Sequence, residues 1–175
     1  MSDLAGHLSR AIVDVPDYPK PGILFRDLTP VYQDPALLRE ITDYGVARAR
    51  AWGAGAVAGI ESRGFMLGAT MAMEAKLPFV MVRKKDKLPR ERLAESYALE
   101  YGEATIEAHV DSFGRGQKVL IVDDLLATGG TAAAAARLVG RLGATTAGFL
   151  FIVELTFLKG RERLGAAPAA AMLAY

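Results

Sequence analysis

The segment from Val119 to Thr131 constrains the fold of this 175-residue chain more than any other stretch. Its first four residues, Val119 to Val122, are apolar and predict a short buried strand. Two adjacent carboxylates follow (Asp123 and Asp124, the acid pair), and a turn of small residues (Ala127 to Thr131, the Gly-Gly loop) then opens an alanine-rich helix. A strand that passes through a glycine turn into a helix is typical of parallel sheets, in which ligands bind beyond the carboxyl ends of the strands.

The rest of the chain repeats this alternation of strands and helices. Short apolar runs predict strands at residues 56–60, 79–82, 118–122 and about 146–154, with a hairpin over about 95–101 and 104–110. Apolar spacing and helix-start signals predict helices over residues 3–13, from Asp34-Pro35, from the turn at 61–65 to about Glu74, and over about 131–142. Three prolines predict that residues 14–21 form no regular structure. The pattern indicates an α/β fold with a mainly parallel central sheet, in which the hairpin is an insertion.

Composition limits the class of protein. The chain has 51% hydrophobic residues, a formal net charge of +1 and no cysteine. These values predict one packed domain without a global basic surface for nucleic acid, a disulfide framework or a thiolate metal site. The charged N-terminal segment is unlike a signal peptide, and no apolar run nears the roughly 18 residues of a membrane helix. We therefore expect a cytoplasmic protein that binds neither nucleic acid nor membrane.

The Gly-Gly loop has the features of a phosphate-binding turn. N–H groups at a helix start donate to phosphate oxygens, Gly129 and Gly130 permit close backbone approach, and Thr128 and Thr131 add hydroxyl donors. The loop has neither the G-x-x-x-x-G-K-[ST] pattern of nucleoside triphosphatases nor the G-x-G-x-x-G pattern of dinucleotide enzymes. On the glycines alone, an ordinary strand-to-helix turn is an equal alternative.

The acid pair favours the ligand-binding interpretation. Two neighbouring carboxylates repel each other and require a compensating partner. Ribose hydroxyls, a bound cation or both would serve as that partner. The sequence therefore predicts a site for a phosphorylated ribose.

Two further segments suggest a place for a second anionic group. Residues 61–65 again combine a strand end, a tight turn and a helix start, and Arg63 has the planar fork that suits phosphate. The alternative is an ordinary turn with a surface arginine. Residues 83–92 contain six basic and two acidic side chains. Such a run is usually a solvated surface, and a nucleic-acid patch would need interleaved aromatic residues, but the run could also close over a pyrophosphate.

Val119 to Thr131 resembles the motif by which type I phosphoribosyltransferases bind 5-phospho-α-D-ribose 1-diphosphate (PRPP). The resemblance implies the type I phosphoribosyltransferase fold, with a small N-terminal hood and a flexible-loop and hairpin insertion. It also implies that the Gly-Gly loop holds the 5′-phosphate and that the acid pair faces the ribose hydroxyls. The implied pyrophosphate-binding residues are Ser62, Arg63, Lys84 and Lys87.

Three other segments resemble the adenine phosphoribosyltransferases. They are Pro16 to Pro30 (PDYPKPGILFRDLTP), Tyr97 to Gly102 (YALEYG) and Val153 to Leu164 (VELTFLKGRERL). The similarity extends from about residue 12 to the last residue, so it covers nearly the whole chain.

This second resemblance implies a base-binding slot. Phe25 would stack on adenine, backbone groups of Leu24 and Arg26 would contact its edge, and Leu155 would cover the opposite face. Such a slot is flat and apolar, with a few polar contacts that fix orientation. From composition alone, core packing is the simpler interpretation of Phe25 and Leu155.

Glu100 is the catalytic residue that the resemblance implies. A carboxylate near the imidazole edge of adenine would accept the N9 proton. Tyr101, the next residue, would help to close the site. Without the resemblance, Glu100 would be interpreted as a solvent-facing residue of the hairpin.

The implied reaction transfers the 5-phosphoribosyl group from PRPP to adenine and forms AMP and pyrophosphate in purine salvage. Mg²⁺ is implied as a cofactor that PRPP carries, with no direct protein ligand. The implied assembly is a homodimer of one phosphoribosyltransferase domain over residues 1–175. About residues 1–34 would form the N-terminal arm and hood, and about residues 83–110 the flexible loop and hairpin.

Two rival functions remain open at the level of sequence. The first is phosphoribosyl transfer to hypoxanthine, xanthine or orotate, because base selectivity depends on the hood and on Leu155. The second is a PRPP-sensing regulator that keeps the fold without catalysis. Such a regulator would usually carry a nucleic-acid-binding domain or a basic surface, and Glu100 with the basic run favours an enzyme.

Overall fold

The computed structural model of the protein describes residues 3–98 and 102–175. Within these residues the α-helices are α1 (Leu4–Ala11), α2 (Thr29–Gln33), α3 (Pro35–Ala51), α4 (Arg63–Ala75) and α5 (Gly130–Arg141). The strands are β1 (Val13–Pro16), β2 (Leu24–Asp27), β3 (Ala56–Ile60), β4 (Phe79–Lys84), β5 (Arg92–Ala98), β6 (Glu103–His109), β7 (Lys118–Val122), β8 (Leu125–Leu126), β9 (Thr145–Glu154) and β10 (Ala169–Ala174). Two 3₁₀ turns, Thr156–Leu158 and Gly160–Arg163, follow β9.

The central sheet has the strand order β10-β9-β7-β3-β4-β6-β5, and β8 pairs with β9. The pairs from β10 to β4 are parallel, as is the pair of β8 with β9. Only the hairpin of β5 and β6 adds antiparallel pairs among the described strands of this sheet, and it lies at one edge. The predicted α/β fold with a mainly parallel sheet and an inserted hairpin is confirmed.

Alternate residues of the buried strands face two separate parts of the core. On β7, Val119 and Ile121 pack with residues of α5, whereas Leu120 and Val122 pack with residues of α3 and α4. This alternation follows from the period of two along a strand. The sheet is therefore covered by helices on both faces, and the carboxyl ends of its parallel strands form one accessible edge.

The predicted start of the second long helix is confirmed. Pro35 opens α3, and the Asp34 side chain accepts hydrogen bonds from the N–H groups of Ala36 (2.9 Å) and Leu37 (3.1 Å). A short acidic residue followed by proline favours this position, because it satisfies N–H groups that lack helical partners. In the described part of the chain, each helix is too short or too polar to cross a membrane.

The prediction that residues 14–21 lack regular structure is wrong for their first part. β1 pairs with β2 in a separate antiparallel ribbon, in register from Val13 opposite Asp27 to Pro16 opposite Leu24. Pro16 is tolerated because it is the last residue of its strand, where a missing N–H interrupts no continuing ladder. We call this ribbon the hood, because it lies in the segment for which the resemblance implied an N-terminal hood.

Candidate active site

The acid pair and the 61–65 turn lie side by side at the carboxyl edge of the sheet. They follow the adjacent parallel strands β7 and β3. α4 begins against the end of β7, because a Cβ on Gly64 would lie 2.7 Å from the Val122 carbonyl oxygen and 3.1 Å from Asp123 Oδ1. Only glycine permits this approach, and it places Arg63 beside the acid pair.

A cavity of about 430 Å³ opens at this edge. Six of the predicted site residues line it: Ser62, Arg63, Lys84, Asp123, Asp124 and Thr131. Glu61, Tyr97, Ile60 and Ile106 line it too and were not predicted as site residues. Lys87 is exposed and does not belong to this set of described lining residues.

The acid pair is held in a charged and largely buried setting. Asp124 is only 5% exposed, and its Oδ2 lies 2.7 Å from the Nε of Arg63. The Asp124 N–H donates to Asp123 Oδ1 at 2.9 Å. Burial, and then the charge of Asp124, raise the pKa of Asp123 well above its ordinary value, while Arg63 opposes the rise. The site therefore favours a partner that relieves the repulsion between the two carboxylates.

Tyr32 is a neighbour of the acid pair that sequence reasoning missed. In residues 3–98 and 102–175, Tyr32 Oη and Asp124 Oδ2 are the two buried side-chain atoms without a hydrogen bond, since the nearby Arg63 N–H is not directed at that oxygen. Burial and the charge of Asp124 raise the pKa of Tyr32, so its phenol stays protonated. Asp124 lines the cavity, and the buried Tyr32 hydroxyl close to the acid pair has no hydrogen-bond partner among the described residues.

The Gly-Gly loop forms a small concave surface at the start of α5. A pocket of about 70 Å³ is lined by Asp123 and by residues 125–132. Gly129 has φ +78°, and a Cβ there would overlap the Gly160 carbonyl oxygen, while a Cβ on Gly160 would overlap the Ala127 carbonyl oxygen. The loop is therefore interlocked with the second 3₁₀ turn. Arg163 of that turn places Nη1 3.9 Å from where a Cβ on Gly130 would lie.

The turn before α4 is strained and firmly attached. Ser62 has φ +89° and ψ −110°, an unfavourable conformation for a residue with a side chain. Glu61 accepts hydrogen bonds from the Lys84 N–H (2.7 Å) and from Arg83 Nε (3.0 Å). Burial alone would raise the pKa of Glu61, but these two donors outweigh it and lower the pKa. They tie the end of β4, and with it Lys84, to the turn that carries Arg63.

Part of the basic run is committed to contacts within the hairpin. The Arg92 guanidinium lies 3.1 Å from both Asp86 Oδ1 and Glu107 Oε2, and the Asp86 N–H donates to Glu107 at 3.1 Å. Glu107 is 3% exposed, so this group anchors the run to β6. Lys84 reaches the cavity, whereas Lys87 points to solvent beside this anchor.

An open cavity of about 360 Å³ lies against the hood, and Phe25 lines it. Tyr18 packs edge-on against Phe25, with ring centroids 5.2 Å apart. Arg63 also lines this cavity, so its side chain lies between the hood and the larger cavity. Asp27 and Thr29 complete the polar side of the wall, and the Thr29 hydroxyl and N–H lower the pKa of Asp27.

Of the other predicted base contacts, Leu24 and Arg26 lie on β2 of this hood, whereas Leu155 follows β9. Leu24 is 48% exposed on β2. Arg26 forms an ion pair with Asp14 and stacks 3.8 Å from the centroid of the Tyr175 ring. Leu155 is half-buried against the core and, among the described contacts, does not line the hood cavity.

Glu100 and Tyr101 lie outside the described residues. β5 ends at Ala98, two residues before Glu100, and Tyr97 of that strand lines the large cavity.

Comparison with known proteins gives consistent matches over nearly the whole chain. A family model described as "Phosphoribosyl transferase domain" matches residues 29–163. An adenine phosphoribosyltransferase of Anaeromyxobacter dehalogenans (strain 2CP-C) is 51% identical over 164 residues, which cover 94% of this chain and 95% of that protein.

Solved structures agree with this result. The adenine phosphoribosyltransferase of Rhodothermus marinus is 48% identical, with a TM-score of 0.91 and coverage of 98% of both chains. The enzyme of Saccharomyces cerevisiae, crystallised with adenine and an imino-altritol bisphosphate, is 38% identical, with a TM-score of 0.93. That match covers 99% of this chain and 100% of the yeast chain.

Proposed function

Because the chain belongs to the phosphoribosyl transferase family, and within it to the adenine phosphoribosyltransferases, we propose that it transfers the 5-phosphoribosyl group of PRPP to adenine. The products are AMP and pyrophosphate, and the reaction serves purine salvage. The predicted type I phosphoribosyltransferase fold is confirmed by the similarity to two such enzymes.

One observation supports the residue roles most directly: the acid pair, Arg63, Lys84 and Thr131 line a single cavity. In the proposal, the Gly-Gly loop binds the 5′-phosphate through N–H groups and hydroxyls, and the acid pair binds the ribose hydroxyls. Ser62, Arg63 and Lys84 bind the pyrophosphate, with Lys87 beside them on the basic run. The cations then neutralise charge that develops on the leaving group.

The base site is the hood cavity. Phe25 stacks on adenine, backbone groups of Leu24 and Arg26 orient its edge, and Leu155 closes the opposite side. Arg63 supports this arrangement because it lines both the hood cavity and the large cavity. A base held in the hood would therefore adjoin the ribose-phosphate site.

The chemistry at C1′ is a substitution. N9 of adenine forms a bond to C1′ as the bond to the pyrophosphate oxygen breaks, through an oxocarbenium-like transition state by analogy with glycoside chemistry. Glu100 accepts the N9 proton, which leaves AMP neutral at the new bond. Tyr101 assists closure, so that water does not compete for C1′.

Mg²⁺ fits this site as a cofactor carried by PRPP. Carboxylate oxygens such as those of the acid pair are ligands that suit a hard cation. Within the described residues, no group of three or more His, Cys, Asp or Glu side chains could hold a metal ion alone. We therefore assign the ion's ligands to PRPP oxygens and water, with no direct protein ligand. When bound, the ion neutralises pyrophosphate charge.

A homodimer in the cytoplasm is part of the same proposal. Met66 and Met73, seven residues apart on α4, are 49% and 75% exposed, and Met81 on β4 is 47% exposed. Exposed methionines of this kind favour a contact surface. The domain would span residues 1–175, with the arm and hood at about 1–34 and the loop and hairpin at about 83–110.

A panel of bases tests the proposed function. The purified protein is incubated with PRPP, Mg²⁺ and adenine, hypoxanthine, xanthine or orotate in turn, and nucleotide and pyrophosphate formation are measured. We expect AMP as the dominant product. Faster turnover of another base would overturn the specificity, and PRPP binding without turnover of any base would identify a sensor.

A further inference from the structure

We infer that Tyr97 is a positioning residue for the 5′-phosphate, and that its hydroxyl orients the Thr131 hydroxyl at the start of α5. This inference rests on the proposed function, because it assigns a role within the PRPP site. It also connects the Gly-Gly loop to the hairpin, which the sequence treats as a separate segment.

The contact between the two hydroxyls is direct. Thr131 Oγ1 donates to Tyr97 Oη at 3.0 Å, and the bond is partly buried. The Tyr97 ring also lies against the loop, since its Cδ2 is 3.4 Å from where a Cβ on Gly130 would be. Both side chains line the large cavity, so the bond lies at the wall where the ligand would bind.

Tyr97 is held in this position by the strand that carries it. Glu95, two residues earlier and on the same face of β5, pairs with Arg137 (2.6 Å) and Arg141 (2.7 Å) of α5. Arg141 also donates to the Ala94 carbonyl oxygen at 2.7 Å. The two arginines lower the pKa of Glu95, so it remains charged and the pairs persist at neutral pH. β5 is thus fastened to the helix that begins with the Gly-Gly loop.

The chemistry of two hydroxyls explains what this contact does. Each hydroxyl has one hydrogen to donate and lone pairs that accept. Without an anion, Thr131 donates its hydrogen to Tyr97. When the Thr131 hydroxyl donates its hydrogen bond to a phosphate oxygen, the Tyr97 hydroxyl rotates and donates a hydrogen bond to Thr131 Oγ1. The oxygens keep their positions and only hydrogens rotate, so Tyr97 holds Thr131 ready to donate to phosphate.

The same contact fixes the position of the hairpin relative to the proposed 5′-phosphate site. Tyr97 precedes Glu100 by three residues along the chain. The contact therefore links β5, the strand that precedes the proposed proton acceptor in the sequence, to the loop proposed to bind the 5′-phosphate. A ligand without a phosphate gains nothing from this contact.

The test is a double-mutant cycle with Tyr97→Phe and Thr131→Val. The Phe variant keeps the ring that packs on the loop and removes only the hydroxyl. Dissociation constants for ribose 5-phosphate and AMP are measured by calorimetry, together with KM for PRPP, KM for adenine and kcat. Tyr44→Phe, whose ring contacts Arg48 on α3, is the matched control.

We expect Tyr97→Phe to weaken ribose 5-phosphate binding and to raise KM for PRPP by about 3–10-fold, the effect of one lost hydrogen bond. KM for adenine should stay within error of the wild type, and the melting temperature should fall by no more than one lost hydrogen bond explains. In the Thr131→Val background, Tyr97→Phe should have no further effect.

Two results would overturn the inference. One is wild-type affinity for ribose 5-phosphate in Tyr97→Phe, and the other is full additivity of the two substitutions. Because ribose 5-phosphate binding needs no base and no turnover, the inference fails or survives separately from the adenine assignment. A wild-type protein that binds ribose 5-phosphate but uses no base would overturn only the proposed function.

Discussion

The Nε of Arg63 lies 2.7 Å from Oδ2 of Asp124 and so joins the first turn of α4 to the end of β7. One of these residues is proposed to bind pyrophosphate and the other to bind ribose. In the free protein they therefore neutralise each other, and the carboxylate is 5% exposed. A bound PRPP would have to exchange this pair for contacts with its own oxygens.

Replacing Arg63 should impair catalysis and alter its pH dependence. Arg63→Gln removes a cation from both the leaving-group site and the acid pair, so we expect kcat to fall by roughly 10²–10³-fold. Arg63 lowers the pKa of Asp123, so its loss should raise that pKa further and move the acidic limb of the kcat/KM profile to higher pH. Steady-state kinetics across pH measure both effects. Arg39→Gln, which removes an exposed arginine paired with Asp43 and Glu74, should leave the profile unchanged.

Asp123→Asn should stabilise the free protein while it removes activity. The pKa of Asp123 is raised by folding, so between the ordinary pKa and the raised value the folded state binds more protons than the unfolded state. The free energy of unfolding therefore falls as pH rises through that window. Above the window, the ionised Asp123 carboxylate continues to destabilise the folded state. Asparagine removes the charge, and we expect a gain of roughly 0.5–2 kcal/mol at neutral pH.

Thermal unfolding of the Asp123→Asn variant at several pH values measures this gain, which should vanish at low pH. Asp111→Asn is the control, for which we expect a change in stability of the opposite sign. The hydrogen bond from Arg90 lowers the pKa of Asp111 in the folded state, so its loss should lower stability slightly at neutral pH, as expected for an exposed ion pair. Lower stability of Asp123→Asn than of wild type at neutral pH would contradict the prediction.

Gly129→Ala should disrupt the Gly-Gly loop for two reasons, left-handed backbone strain and overlap with Gly160, and a control variant separates them. Gly129 has φ +78° and no room for a Cβ, whereas Gly143 has φ +80° and open space around it. Gly143→Ala should therefore cost only the left-handed strain, about 1–2 kcal/mol, and leave KM for PRPP unchanged. Gly129→Ala should cost more and raise KM for PRPP, because the loop must move away from Gly160. Equal effects of the two substitutions on stability and KM would argue against the interlock.

Glu100→Gln should lower turnover by roughly 10²–10⁴-fold if this residue accepts the N9 proton. Binding of AMP, which carries no N9 proton, should change little. Glu103→Gln, at an exposed position at the start of β6, is the control. Single-turnover rates and AMP titrations distinguish the two variants, and a wild-type rate for Glu100→Gln would exclude the role.

Phe25→Ala should raise KM for adenine by roughly 5–100-fold, the range expected from the loss of one aromatic stacking partner of a base. KM for PRPP should stay the same, because Phe25 lines the hood cavity and is not part of the large one. Phe157→Ala, at a position that is 70% exposed, should leave both constants unchanged. A parallel rise in KM for PRPP would show that the hood and the ribose site are not independent.

The βα units were the most predictable part of the fold. The apolar runs before Asp123 and Glu61 correctly indicate β7 and β3, because a strand that is buried on both faces is a continuous apolar run. β10, Ala169–Ala174, is harder, because alanine favours helices. It becomes a strand by pairing with the edge of β9, a tertiary contact with no local signal.

The candidate site divides in the same way. Residues within contiguous motifs, such as Arg63 and the acid pair, could be found from local spacing and resemblance. Tyr32 could not, because it reaches the site from a distant segment and such a contact leaves no periodic signal. Tyr97 and Arg163 lie in segments that the resemblance covers, but their contacts with the Gly-Gly loop are visible only in the structure. Lys84 and Lys87 look equivalent in the sequence. The structure distinguishes them, because β4 ends at Lys84 and Lys87 lies beyond it.

Arg63 forms part of the wall of both the hood cavity and the larger cavity beneath it. A single substitution at this position would therefore be pleiotropic and act on acceptor choice and donor affinity at once. Divergence toward another base would proceed more readily through hood positions such as Tyr18 or Phe25, which line the hood cavity without lining the larger one. In an evolving lineage, the shared arginine would therefore constrain changes in specificity for either substrate.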